Sequence, residues 1–162
     1  MGPETEMLLS ALRNQRAHAL GTLDGLTDEQ LRSAVLPSGW SPLGLVNHLA
    51  VDVERFWFQG VVAGDQAVWD NLSDDTAWNI PDGIDATEVT NRYLAEAARS
   101  DAILTSTALD QMPSRWPDFF GDFRLDDLRA ITVHVLAETA CHAGHLDAAR
   151  ELLDGRQWLV LT

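Results

Sequence analysis

Apolar residues recur at helical spacing through most of this chain. Leu8, Leu9, Leu12, Ala17 and Leu20 share a face and predict a helix from Thr5 to about Leu23, ended by the Asp24-Gly25 turn. Thr27 with Gln30 three residues on forms a capping box, which opens a short helix to about Val35 before Pro37-Ser38-Gly39 breaks the chain. Ser41-Pro42 supplies an N-cap and a first-turn proline, so a second long helix runs to about Ala63, where Gly64-Asp65 stops it. Val89, Tyr93, Leu94, Ala97, Ile103 and Leu104 give a third, from about Thr87 to Leu109, one buried face. The last spans about Leu125 to Leu153 on a stripe of Leu128, Ile131, Val135, Leu146, Ala149 and Leu153. Asp126 and Asp127 complement its N-terminal dipole, and Gly155 lies just past its end.

Between these helices, residues 66–86 and 111–124 show no period and carry Pro81-Asp82-Gly83, Pro113, Pro117 and Gly121. Connections this long in a compact domain are functional loops or crossovers. Strand-type alternation and internal repeats are absent. Four long helices, one short helix and two long connections predict an all-α four-helix bundle, a single domain over residues 1–162.

Composition narrows the classes of function. The chain of 162 residues can bury a core without disulfides, and its 46% hydrophobic and 22% charged residues are those of a globular protein. No apolar run is long enough to span a bilayer, and the acidic N-terminal residues read as neither a signal nor a transit peptide. Twenty-five acidic against eleven basic residues give a net charge of −14, which repels nucleic acid and anionic lipid. The acids around Asp70 to Asp85 read as solvated loop residues. The single Cys141 cannot form an internal disulfide, which agrees with a reducing cytoplasm, and it reads as a small buried hydrophobe.

The last helix carries the chemistry. His134, Glu138, His142 and His145 follow its apolar stripe, so they are expected to project toward the core. A buried carboxylate is costly unless it is paired or metal-bound, so Glu138 calls for a partner. His48, midway along an apolar helix, offers the other half of a site, and four of the five histidines lie on these two helices. Bundles build interior metal sites from facing helices, and two histidines with one glutamate is a composition of catalytic zinc and of non-haem iron. From spacing alone His145 could replace or supplement Glu138, and His134 could support a ligand from behind. Asp52, four residues after His48, is placed to orient the site or a substrate. Arg55, seven after His48, is placed to meet a substrate carboxylate. Of six tryptophans, Trp40 and Trp57 fit the core, while Trp69, Trp78 and Trp116 lie in the irregular stretches and could wall a pocket.

The run HVLAETACHAGHLDAARELLDG (His134 to Gly155) closely resembles the last-helix signature of the DinB-like proteins, in their mycothiol-dependent branch. The segments GLTDEQLRSAVLPSGWSPLGLVNHLAVDVERFWF and VVAGD are similar to that branch too, so the resemblance spans essentially the whole chain. It implies a DinB-like four-helix bundle, dimeric, with one divalent metal held by His48, Glu138 and His142. Zinc is the first expectation, with nickel, iron or manganese as the others. His145 is then left as a residue lining the site, and His134 falls to a supporting position.

Relatives of this kind bind a low-molecular-weight thiol at the metal as its thiolate, the nucleophilic form. The resemblance thus implies a metal-dependent, mycothiol-like S-transferase acting on small electrophiles, with detoxification as its setting. The related isomerases look longer, with an added C-terminal domain, so that reading is set aside. A metal-dependent hydrolase using bound water and a non-catalytic metal-binding bundle are the alternatives.

Overall fold

The helices begin and end where the chain's own punctuation places them. In the computed structural model, which describes residues 1–72, 77–81 and 83–158, α1 (Pro3–Gly21) opens with Pro3 in its first turn. The capping box of α2 (Asp28–Arg32) closes in both directions: Gln30 N–H donates to the Thr27 hydroxyl, and Thr27 N–H donates to the Gln30 side chain. Ser41 caps α3 (Pro42–His48) by accepting from Gly44 N–H. Asp85 caps α5 (Ala86–Ser106), and Asp127 caps α6 (Leu128–Asp154) by accepting from Ala130 N–H at 2.8 Å. Gly155 ends α6 in the left-handed region, φ 76°, where a side chain would be strained.

Two features depart from the expected elements. A short helix, α4 (Gln66–Asp70), interrupts the stretch expected to be loop. It is capped by Asp65 and buries only Val68, too little for a periodic signal. The second long helix keeps its expected extent, but past His48 its backbone changes. Leu49–Val62 winds with wider, i→i+5 hydrogen-bonded turns, and the next residue continues them, Ala63 N–H donating to Phe58 C=O at 2.9 Å. Such π turns are usually single bulges and concentrate at functional sites. This one is long and almost entirely buried, with Leu49, Val53, Phe56, Trp57, Phe58 and Val61 packed on several sides.

Around the bundle, the π segment packs on α5 and α6, while α1 packs on α6 and α5. Leu12, Leu49, Phe58, Leu104, Leu128 and Ile131 fill the interior between these four. One polar network crosses it. Arg16 of α1 donates through Nε and Nη2 to both oxygens of the wholly buried Glu54 (2.7 and 2.8 Å), and through Nη1 to Asp101 of α5 (2.6 Å). The stretch 111–124 returns over the π segment, held by Ser114 N–H to Val62 C=O and by stacking of Phe120 on Trp57. No described residue is in a strand, and no described helix is long and apolar enough to cross a membrane. Asp74, Asp75 and Asp82, read as loop acids, lie outside the described residues.

Candidate functional site

His48 ends α3 where the π turns begin, and its ring is held on two sides. Its Nδ1 lies 2.8 Å from Asp52 Oδ2, so Nδ1–H donates to the carboxylate, the tautomer that leaves the Nε2 lone pair available. A histidine prepared to ligate a metal is held in this way, by a carboxylate that fixes tautomer and ring orientation. On one face the ring stacks on Trp78, with centroids 3.9 Å apart and planes 16° apart. Trp78 is held in turn by its own segment. Asn47, the buried neighbour of His48, donates to Ala77 C=O at 2.8 Å, and Gly44 admits the Trp78 carbonyl where a Cβ would overlap it.

From α6, His142 meets the edge of His48, with ring centroids 5.1 Å apart. Burial first, and the nearby His48 second, push the His142 pKa down to about 4 against the pull of Glu138, so its imidazole is neutral at neutral pH. Neutral imidazole is the ligating form. Glu138, one turn earlier, places Oε2 3.6 Å from His142 Nε2. His142 therefore stands beside His48 of the other helix and beside Glu138 of its own. The donor chemistry, two imidazoles and a carboxylate, fits a divalent ion. As the side chains stand, no three His, Cys, Asp or Glu among the described residues form a ready metal-binding group. Asp52 engages His48 Nδ1, and Glu138 turns partly to solvent.

Several expectations need correction. Glu138 was expected in the core, yet its side chain is 42% exposed, so no burial penalty demands a partner for it. The polar residues of α6 lie along the edge of its apolar stripe, because successive steps of four rotate steadily around the axis. His145 is exposed, its Nδ1 3.4 Å from His142 Nδ1 and its ring 6.3 Å from Trp40. His134 packs edge-on to Trp57, centroids 4.7 Å apart, and also faces Phe123; burial lowers its pKa, opposed by the Glu138 charge. Cys141 is exposed rather than a buried hydrophobe, since it faces away from the bundle side of α6. Trp40 and Trp69 are half-buried, and Trp69 is held by an N–H bond to Gly60 C=O and by Arg115 over its ring. Arg55 lines a cavity together with Asn47, the neighbour of His48, and with Arg92.

The residues that sequence reasoning missed are Asn47 and Arg92. A buried Asn next to a candidate ligand was a local signal for the first. Arg92 donates to Asn47 Oδ1 at 2.6 Å across 45 positions of sequence, a relation no local pattern reveals.

An all-helical chain that brings His48 of one helix, stacked on Trp78, against His142 of another has the architecture of the DinB-like class. The chain belongs to the mycothiol-S-transferase family, whose model matches residues 7–155. Comparison with curated proteins finds no match, and comparison with solved structures finds none either.

Proposed function

We propose that this protein is a metal-dependent S-transferase that joins a low-molecular-weight thiol of the mycothiol type to small electrophiles. The observation that carries the reading is the meeting of His48 and His142 at 5.1 Å, with Glu138 one turn away, in a chain of this family. His48, Glu138 and His142 would hold one divalent ion, zinc by the chemistry of the set. Bound there, such an ion lowers the pKa of a thiol so that its anion forms near neutrality. Asp52 keeps the Nδ1 proton of His48 and fixes its ring. Trp78 covers the face of that ring and narrows water's access to it. His145, exposed beside His142, lines the approach of the thiol's polar part. The thiol proton leaves to solvent, the sulfur lone pair forms the new C–S bond, and the leaving group departs with its bonding pair. No nucleophile from the protein is required, and the exposed Cys141 is left out of the reaction.

A cytoplasmic detoxifying role and a homodimer belong to the same proposal. They follow from the family's thiol chemistry and from exposed apolar side chains such as Leu94 and Val133. The test is elemental analysis joined to a thiol panel. The purified protein should carry one divalent ion per chain and consume mycothiol or bacillithiol with a generic electrophile. Metal-loaded protein that consumes no thiol contradicts the transferase reading, and turnover of esters or amides without any thiol favours a hydrolase.

A further inference from the structure

Across the Ala77–Pro81 segment from His48 lies a cavity of about 500 Å3, a size that accommodates a small molecule. Its polar walls are Arg55, Arg92, Asn47, Asn71 and Asn79, with Ile80 among its apolar ones, and no Asp or Glu among the described residues lines it. That composition is unusual in a chain with 25 acidic and 11 basic residues. Arg55 is half-buried, projects from the π segment, and has neither an ion pair nor a hydrogen bond to any described residue. Elsewhere in the molecule the half-buried and buried arginines are matched, Arg16 by Glu54 and Asp101, Arg150 by Asp154. Arg92 is fixed by its bond to Asn47 Oδ1 at 2.6 Å and reaches Glu88 only at 3.5 Å. An unmatched guanidinium in a cavity, with a second one oriented beside it, is chemistry that recognises a carboxylate or a similar oxyanion.

We propose that this cavity binds an anionic group, a carboxylate, carried by one of the two substrates, and so selects acidic substrates for the transfer. The inference rests on the proposed S-transferase reading and specifies its substrate class. Asn47 is the link between the sites: it orients Arg92 with its carbonyl and, through Ala77, holds the segment whose Trp78 covers His48. A carboxylate seated on Arg55 therefore lies next to the cleft in which the thiol sulfur would react.

The test pairs reaction and binding. With mycothiol as thiol, 6-bromohexanoate and 6-bromohexanamide, whose carboxyl end lies several carbons from the reacting one, share one displacement, in which the C–S bond forms, the C–Br bond breaks and bromide leaves with the electron pair. R55Q should lower kcat/KM for 6-bromohexanoate relative to 6-bromohexanamide by about tenfold to hundredfold, and R55K by less. If the anion belongs to the thiol instead, the same drop appears between 6-mercaptohexanoate and its amide with chloroacetamide as the common electrophile. Independently of turnover, calorimetry should show that the wild type binds succinate but not succinamide, with binding weakened about tenfold or more in R55Q and R92Q. No succinate binding, equal binding in the variants, or substrate ratios unmoved by R55Q in both pairs overturns the inference. Failure of the transferase reading looks different: no thiol is consumed with any electrophile, while succinate binding persists.

Discussion

Gly44 shows how much of the site depends on one missing methyl group. Its Cα faces the Trp78 carbonyl so closely that a Cβ would overlap it, and Trp78 is the ring that stacks on His48. Gly44→Ala should therefore cost about 1–3 kcal/mol in urea unfolding and displace the Trp78 segment. A variant as stable as the parent, with unchanged tryptophan fluorescence, would contradict that geometry. Glu54 makes a similar point in the interior. Arg16 brackets it with two hydrogen bonds in a site closed to water. Removing Glu54 leaves the buried Arg16 with Asp101 as its remaining carboxylate, so Glu54→Ala should destabilise by up to about 3–5 kcal/mol, and adding Arg16→Met should recover part of the loss. A double variant less stable than the single one would show that the bond from Arg16 to Asp101 outweighs the relief of the unmatched charge. Spacing offered His48 together with His134, Glu138, His142 and His145, and the family resemblance selected Glu138 and His142 among them. Spacing could not show that Glu138 lies at the rim or that Cys141 faces solvent, because periodicity places a residue on a face only to within a wide angle.

Helix ends were the most legible elements, because capping is chemistry between residues two or three apart. Thr27 with Gln30, Ser41 with Pro42, and Gly155 act where the sequence placed them, whereas α6 starts at Leu128, later than expected, with Asp127 as its cap. Asp127→Ala should cost about 1 kcal/mol in thermal unfolding, since it leaves Ala130 N–H without its acceptor. No change would mean that water or a neighbour takes over the cap. The π winding of Leu49–Val62 was not legible. An i→i+5 turn and an i→i+4 turn call for similar apolar residues, and a segment buried on most sides has no sharp stripe to reveal its pitch. Helix α4 was missed for the opposite reason, five residues being too few to show any period. The cavity of Arg55 and Arg92 needed the fold itself, because its walls come from α3, the π segment, α5 and the Ala77–Pro81 segment.

At the scale of the whole molecule, the net charge of −14 sets a background of repulsion against which each cation counts. Added neutral salt should raise the melting temperature by screening that repulsion, and a fall on adding salt would mean that surface ion pairs outweigh it. The bundle brings two helices into register so that histidines far apart in sequence share an edge contact, and it stations a cationic cavity one segment away. His48→Ala or His142→Ala should abolish metal binding at one ion per chain while leaving the helical content intact, as read by elemental analysis and circular dichroism. Retention of a full equivalent by both variants would place the ion elsewhere.

The central claim is that these side chains serve thiol transfer through a bound divalent ion. Its most direct test is the initial rate of mycothiol consumption with chloroacetamide by zinc-loaded wild type and by His142→Ala under the same metal concentration. The account expects consumption well above the uncatalysed rate for the wild type and a return to that rate in the variant. Equal rates for the two proteins, or no consumption by either, would contradict it.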